Sequence, residues 1–340
     1  MQLMKAREVR LESRPSGAPV LDNFEVVEVT VPEPGEGEVL VRNAYFSIEP
    51  YMRGRMNPIK SYVPPYEIGQ PMTGGAVGKV VASQAPELPV GTSVQSDLGW
   101  REYAIGPAKF FRKIDVSHVP PSAYLGILGI PGITAYVGLH DIGGLRGDDV
   151  VFISSAAGAV GSLAGQLAKL AGATVIGSAG SAAKVAYLKE ELGFDAAFDY
   201  HGADIKATLA GLAPNGITLY FDNVGGEQLE GALSALRPSG RIIACGMISQ
   251  YNVPTHGPRN LALVIGKRLT LRGFIVMDHQ NRWKDYLAEA IPLVREGRLK
   301  LAESVVDGIE NAPQAFIDFL HGGKYLGKLL VQTLSEKGAS

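Results

Sequence analysis

Ala156, Gly158 and Gly161 stand at the spacing of a G-x-G-x-x-G turn, with alanine in the first glycine slot. They follow the β-branched run Val150–Val151–Phe152–Ile153–Ser154–Ser155 and precede a helix predicted over Ser162–Ala171. A strand turning through small residues into a helix leaves the first helical N–H groups bare, with the positive end of the macrodipole behind them. Such an end suits a pyrophosphate. Gly158 lets backbone approach the phosphates, and Gly161 lets the helix pack close to the strand. The stretch Gly158, Ala159, Val160, Gly161 is therefore the candidate phosphate cradle. The next strand, predicted at Ala173–Gly177, falls where a dinucleotide site needs it.

The end of that next strand selects the dinucleotide. An NAD site carries an Asp or Glu about 20 residues past the glycines, accepting from the adenosine ribose 2′-OH. Here the position falls on Ser178, within Gly177–Ser178–Ala179–Gly180–Ser181, and no acid is present. Beyond Ser181 comes Lys184. A hydroxyl and a cation without a carboxylate suit a 2′-phosphate, so NADP or NADPH is the expected cofactor. Two further strand ends aim polar residues at the same crevice: Tyr220–Phe221–Asp222–Asn223–Val224–Gly225–Gly226 and Ile242–Ile243–Ala244–Cys245–Gly246–Met247–Ile248–Ser249. From these, Asn223 is a candidate ribose contact, and Ser249 or Tyr251 candidates along the phosphates.

A second group lies near the N-terminus. Ser47–Ile48–Glu49–Pro50–Tyr51–Met52–Arg53–Gly54–Arg55 combines a turn with phenol and guanidinium groups, able to donate to an anionic or enolate oxygen. Metal chemistry has little to work with. Structural zinc wants four Cys-rich ligands and catalytic zinc about three. The chain has one cysteine, and its 6 histidines (118, 140, 201, 256, 279, 321) show no HExxH spacing. A G-x-S-x-G nucleophile elbow is also missing.

The elements that must position these groups fall into two textures. Residues 1 to about 125 read as β-rich, with apolar runs Phe24–Val31, Glu38–Ala44, Gly75–Ala82, Ser93–Gln95 and Trp100–Ile105 between turn clusters. No helical period of useful length appears before Pro120. From 126 to about 304, strands alternate with helices: Val150–Ser154, Thr174–Gly177, Ala196–Asp199, Leu219–Asp222, Arg241–Cys245 and Leu269–Phe274. That alternation predicts an α/β fold with a Rossmann-type, doubly wound parallel sheet. From about 305 the chain returns to the first domain, ending in the strand Gly327–Gln332. The balance of 32 Lys plus Arg against 34 Asp plus Glu offers no field for nucleic acid or anionic membrane. Val150–Ala168 is uncharged but too rich in Gly, Ser and Ala to span a bilayer. One cysteine, and an N-terminal stretch without the apolar core of a secretory signal, give the expectation of a cytoplasmic protein.

Taken together these segments resemble the zinc-independent branch of the medium-chain dehydrogenases/reductases, which contains prostaglandin reductases (leukotriene hydroxydehydrogenases), plant double-bond reductases and bacterial curcumin reductase. The resemblance runs over essentially the full length. It is carried by Glu49-Pro-Tyr-Met-Arg-Gly-Arg-Met, Leu128-Gly-Ile-Pro-Gly-Ile-Thr-Ala-Tyr136, Ala156-Ala-Gly-Ala-Val-Gly-Ser, Gly180-Ser-x-x-Lys184, Tyr220-Phe-Asp-Asn-Val-Gly-Gly, Cys245-Gly-Met-Ile-Ser-Gln-Tyr251 and Gly273-Phe-Ile-Val276. It implies a β-rich GroES-like catalytic domain (1–125 and 305–340) and a Rossmann NADP-binding domain (126–304). It also implies a homodimer, and metal-free, NADPH-dependent reduction of the C=C bond of an α,β-unsaturated ketone or aldehyde. By the same resemblance Lys184 and Tyr200 surround the 2′-phosphate. Thr134, Asn223, Cys245, Gly246, Ser249 and Tyr251 line the cofactor groove, and Phe274, Ile275 and Val276 flank the nicotinamide. Where zinc enzymes carry a Cys and a Gly-His-Glu site, this chain reads Phe46-Ser47-Ile48 and Gly69-Gln70-Pro71. Two positions depart from relatives: a tyrosine slot is Gly266, and a cofactor-contacting Asn is matched by Tyr325. Tyr51 is then the candidate catalytic donor. The competing readings are an NADPH-dependent quinone reductase and a non-catalytic NADPH-binding sensor.

Overall fold

The computed structural model describes residues 4–252, 257–322 and 324–333. The chain forms two compact units, one of Met1–Leu125 with Glu303–Ser340 and one of Gly126–Ala302. In chain order the strands are β1 (Lys5–Leu11), β2 (Phe24–Thr30), β3 (Glu38–Ser47), β4 (Ala76–Ser83), β5 (Ser93–Ser96), β6 (Tyr103–Pro107), β7 (Arg112–Lys113) and β8 (Val150–Ile153). They continue with β9 (Thr174–Ala179), β10 (Ala196–Asp199), β11 (Ile217–Asp222), β12 (Leu236–Ala244), β13 (Thr270–Gly273), β14 (Glu303–Asp307) and β15 (Lys328–Gln332).

In the first unit β1 and β2 pair antiparallel, and a second sheet runs β14-β15-β3-β4-β5-β7 with β6 also on β3. β15 therefore brings the C-terminal segment back beside β3, with Leu330 opposite Ser47. The core gathers Phe24, Phe46 and Phe316 around Trp100, whose ring lies 5.4 Å from Phe46 and 5.9 Å edge-on from Phe316. β1 was not anticipated, because four of its seven residues are charged. Those charges are matched: Arg7 pairs with Glu102 at 2.7 Å and with Glu310 at 2.8 Å, and Glu8 with Arg10 at 2.7 Å. A short helix, Tyr51–Arg55, also replaces the expected turn.

In the second unit six parallel strands lie in the order β10-β9-β8-β11-β12-β13, the Rossmann order 3-2-1-4-5-6. β8 is central, and Val151, Phe152 and Ile153 are fully buried, which explains an apolar run without alternation. The order reverses between β8 and β11, so the carboxyl ends of those two strands flank the crevice in which such sheets bind ligands. The helix after β8 runs Ala159–Leu170, three residues earlier than the sequence suggests. The small residues of the turn already adopt helical backbone, because Gly158 serves as the extended N-cap.

Candidate functional site

Gly158 caps this helix without any side-chain hydrogen bond, so the N–H groups of Ala159, Val160 and Gly161 have no capping partner. Gly158, Ala159 and Val160 are partly exposed while Gly161 is buried. A Cβ on Gly161 would sit 2.4 Å from the Ser155 carbonyl oxygen and 2.9 Å from Ala156 Cα, so only glycine lets the helix meet the strand end. Ser155 takes a left-handed φ of 51°, and its carbonyl accepts the Gly158 N–H at 3.0 Å. That conformation costs a non-glycine residue about 1–2 kcal/mol. Gly161→Ala is expected to lower stability by about 1–3 kcal/mol through overpacking, read as a fall in Tm. An unchanged Tm would show that the turn yields.

At the end of β9 the structure brings three of the expected residues together. Ser181 caps the helix Ala182–Glu190, its hydroxyl accepting the Lys184 N–H at 3.3 Å. Its own proton remains available to donate. Lys184 is partly buried, and burial lowers its pKa. Tyr200 follows β10, and its hydroxyl lies 3.3 Å from where a Cβ on Gly180 would be. His201, to which the sequence assigns no role, lies tilted against Tyr200 with ring centroids 4.3 Å apart and 3.2 Å from the same point. Ser178 does not belong to this group. It is fully buried and hydrogen-bonds Gln228 at 2.5 Å, so the hydroxyl at the usual acidic position faces inward.

The other strand ends are held by their own polar groups. The Asn223 amide donates to the Ser154 carbonyl at 2.8 Å, which ties the end of β11 to the end of β8. The Ser249 hydroxyl donates to the Val224 carbonyl at 2.6 Å, so its proton serves the loop and not a phosphate. Cys245 and Gly246 donate their N–H groups to the Asp222 carbonyl at 2.9 and 3.0 Å. Burial, and then the nearby Asp222 charge, push the Cys245 thiol up to about 12. Burial also raises the Tyr251 phenol. Thr134 is buried in the helix Ile130–Val137. Phe274, Ile275 and Val276 follow β13, whose Gly273 pairs with Ala244 of β12. A Cβ on Gly138, just past the Thr134 helix, would lie 3.3 Å from the Phe274 ring, so Thr134 and Phe274 belong to one neighbourhood.

Tyr51 and Tyr325 lie in the first unit. Tyr51 opens the helix Tyr51–Arg55 and is partly buried. Burial, then the charges of Glu49 and Tyr66, raise its phenol far above the ordinary range, leaving it a donor. The guanidiniums of this loop are engaged by protein. Arg53 donates to Asn57 at 2.9 Å and to the Gly17 carbonyl at 2.7 Å, and Arg55 to Pro64 and Thr73, each at 2.9 Å. Arg14 adds bonds to the carbonyls of Met56 and Tyr66 at 2.8 and 3.0 Å. The arginines thus brace the loop, and the phenol is its free chemistry. Tyr325 packs against the first unit's core, with the Lys324 ammonium 5.5 Å from its ring. Gly266 ends the helix Ala262–Gly266, and a Cβ there would meet nothing within 4 Å.

Residues 7–114 match the family described as N-terminal domain of oxidoreductase, and residues 159–291 the family described as zinc-binding dehydrogenase. The 2-alkenal reductase (NADP(+)-dependent) of Nicotiana tabacum is 43% identical over 97% of this chain and 98% of its own. The chain belongs to the medium-chain dehydrogenase/reductase family. Other members similar to this one include the NADPH-dependent curcumin reductase of Escherichia coli, 41% identical over 98% of this chain and 99% of its own. CurA from Vibrio vulnificus, solved in complex with NADPH, superposes on this family member with a TM-score of 0.91 at 42% identity, covering 97% of this chain and 100% of that one. The β-rich first unit and the Rossmann second unit are the architecture of medium-chain reductases.

One matching family has zinc in its description, so the donor set matters. Catalytic zinc takes three protein ligands from His, Cys, Asp and Glu. Among the described residues no group of three such side chains could hold a metal ion. The described residues therefore do not fit a zinc site. No helix among the described residues is long and apolar enough to cross a membrane.

Proposed function

We propose that this medium-chain reductase uses NADPH to reduce the C=C bond of α,β-unsaturated ketones and aldehydes. The observation that carries the reading is the uncapped helix start at Ala159–Gly161 beside the topological switch point, with no acid at the end of β9 and Ser181 and Lys184 just beyond it. Bound NADPH would supply a hydride for the substrate's β-carbon, a transfer that would leave negative charge on the carbonyl oxygen.

The chain's own residues do the rest. The N–H groups of Ala159, Val160 and Gly161 bind the pyrophosphate. Lys184, with Ser181 and Tyr200, holds the 2′-phosphate by charge-assisted hydrogen bonds. Asn223 directs its Oδ1 to a ribose hydroxyl, its amide nitrogen being engaged by Ser154. Thr134, Cys245, Gly246, Tyr251, Phe274, Ile275 and Val276 line the groove, and Tyr325 is a further cofactor contact. Tyr51 donates to the developing enolate oxygen, a stabilisation present only as charge appears. The α-carbon takes its proton from water. In this reading the second unit binds the cofactor, the first supplies catalysis, and the protein is a cytoplasmic homodimer acting on a small molecule.

Oxidation of NADPH followed across a panel of alkenals, enones and quinones, with product masses, tests the reading. The expected result is one NADPH consumed per saturated carbonyl formed. Turnover confined to quinones would replace it with quinone reduction. NADPH binding without turnover of any of them would leave a sensor.

A further inference from the structure

Asp222, at the end of β11, is fully buried, and nothing in the reading above uses its side chain. Its Oδ1 accepts from four donors: the Tyr220 hydroxyl at 2.7 Å, the Ser154 hydroxyl at 3.2 Å, and the N–H groups of Val224 and Gly225 at 2.9 and 2.8 Å. Its Oδ2 is buried with no hydrogen-bond partner. The Ser154 hydroxyl also accepts the Asn223 N–H at 2.9 Å. The Asp222 carbonyl meanwhile takes the N–H groups of Cys245 and Gly246 that follow β12. One residue therefore ties together the ends of β8, β11 and β12, two of which flank the switch point.

A buried carboxylate with an orphaned oxygen works against stability. Its gain is conformational. Two successive N–H groups fixed on Oδ1 impose the Asn223–Gly225 turn, in which Gly225 adopts a left-handed φ of 71°. The hydroxyl of Ser154 then sets the Asn223 backbone against β8. We propose that Asp222 is a positioning residue for NADPH, its Oδ1 acting with Ser154 to present Asn223 to the cofactor in one conformation. This rests on the NADPH reading above.

The test is titration of the purified protein with NADPH, followed by nucleotide fluorescence without any enone, beside steady-state kinetics. Asp222→Asn keeps an acceptor in the Oδ1 place and is expected to hold the NADPH Kd within about threefold. Asp222→Leu removes it and is expected to raise Kd and the NADPH KM about tenfold or more, with kcat at saturating NADPH within about threefold. Ser154→Ala, a milder change, should raise Kd by about three- to tenfold and decides the matter if Asp222→Leu does not fold. Parent-like NADPH binding in folded Asp222→Leu, or in Ser154→Ala where the former cannot be made, overturns the proposal. So does a loss in Asp222→Asn as large as in Asp222→Leu, or a fall in kcat at constant Kd. Failure of the unmodified chain to bind NADPH is a separate result, and it removes the proposed function itself.

Discussion

Tyr51→Phe is expected to lower kcat for a good enone by about 10²- to 10³-fold, the usual loss when one donor to a developing oxyanion is removed. The NADPH KM should stay put, because in the proposed role the phenol acts on charge that develops only as the hydride is transferred. The pH profile gives a second readout. An ordinary phenol ionises near about 10 and would stop donating there. Burial together with Glu49 and Tyr66 raises the Tyr51 phenol well above that range. The protonated donor persists below a raised pKa, so no alkaline fall in kcat from this group is expected through pH 10 or so. Unchanged turnover in Tyr51→Phe would mean that another donor serves the enolate.

Lys184→Ala should raise the NADPH KM roughly 10- to 100-fold, the loss of one charge-assisted contact, while the NADH KM stays within about twofold. Burial lowers the Lys184 pKa in the protein without cofactor. A 2′-phosphate favours the ammonium, so NADPH binding should weaken as pH rises through that lowered pKa, with NADH following less steeply. Comparison of the two cofactors in one pH series checks both points. Equal losses for NADPH and NADH would mean that Lys184 holds the helix and not the phosphate.

How much of this was legible in the chain depends on how local each feature is. The central strand β8 and its glycine turn were, because parallel strands buried on both faces read as unbroken apolar runs. The helix start was misplaced from Ala159 to Ser162, since small residues give no helical period to read. β1 was hidden by charges whose partners, Glu102 and Glu310, lie far along the chain. β14 (Glu303–Asp307) carries acids at both ends and only two valines between, too short for a pattern. In the site, residue types at strand ends were readable, but their engagements were not. Arg53 and Arg55 looked like anion donors and instead brace the loop through Gly17, Asn57, Pro64 and Thr73. The bond between Ser154 and Asp222 spans 68 residues of sequence, and only the folded sheet makes neighbours of them. The signal that was there to find was a polar residue closing each of two adjoining apolar strands.

The state of the chain's single thiol bears on its durability. Conjugated aldehydes and ketones are electrophiles that alkylate sulfur, and they do so through the thiolate. Cys245 is the only cysteine, and burial with Asp222 nearby pushes its pKa up to about 12. At neutral pH the protonated thiol therefore prevails over the anion. Under the function proposed above, the catalyst meets Michael acceptors at every turnover and presents them with its thiol in the protonated, less reactive form.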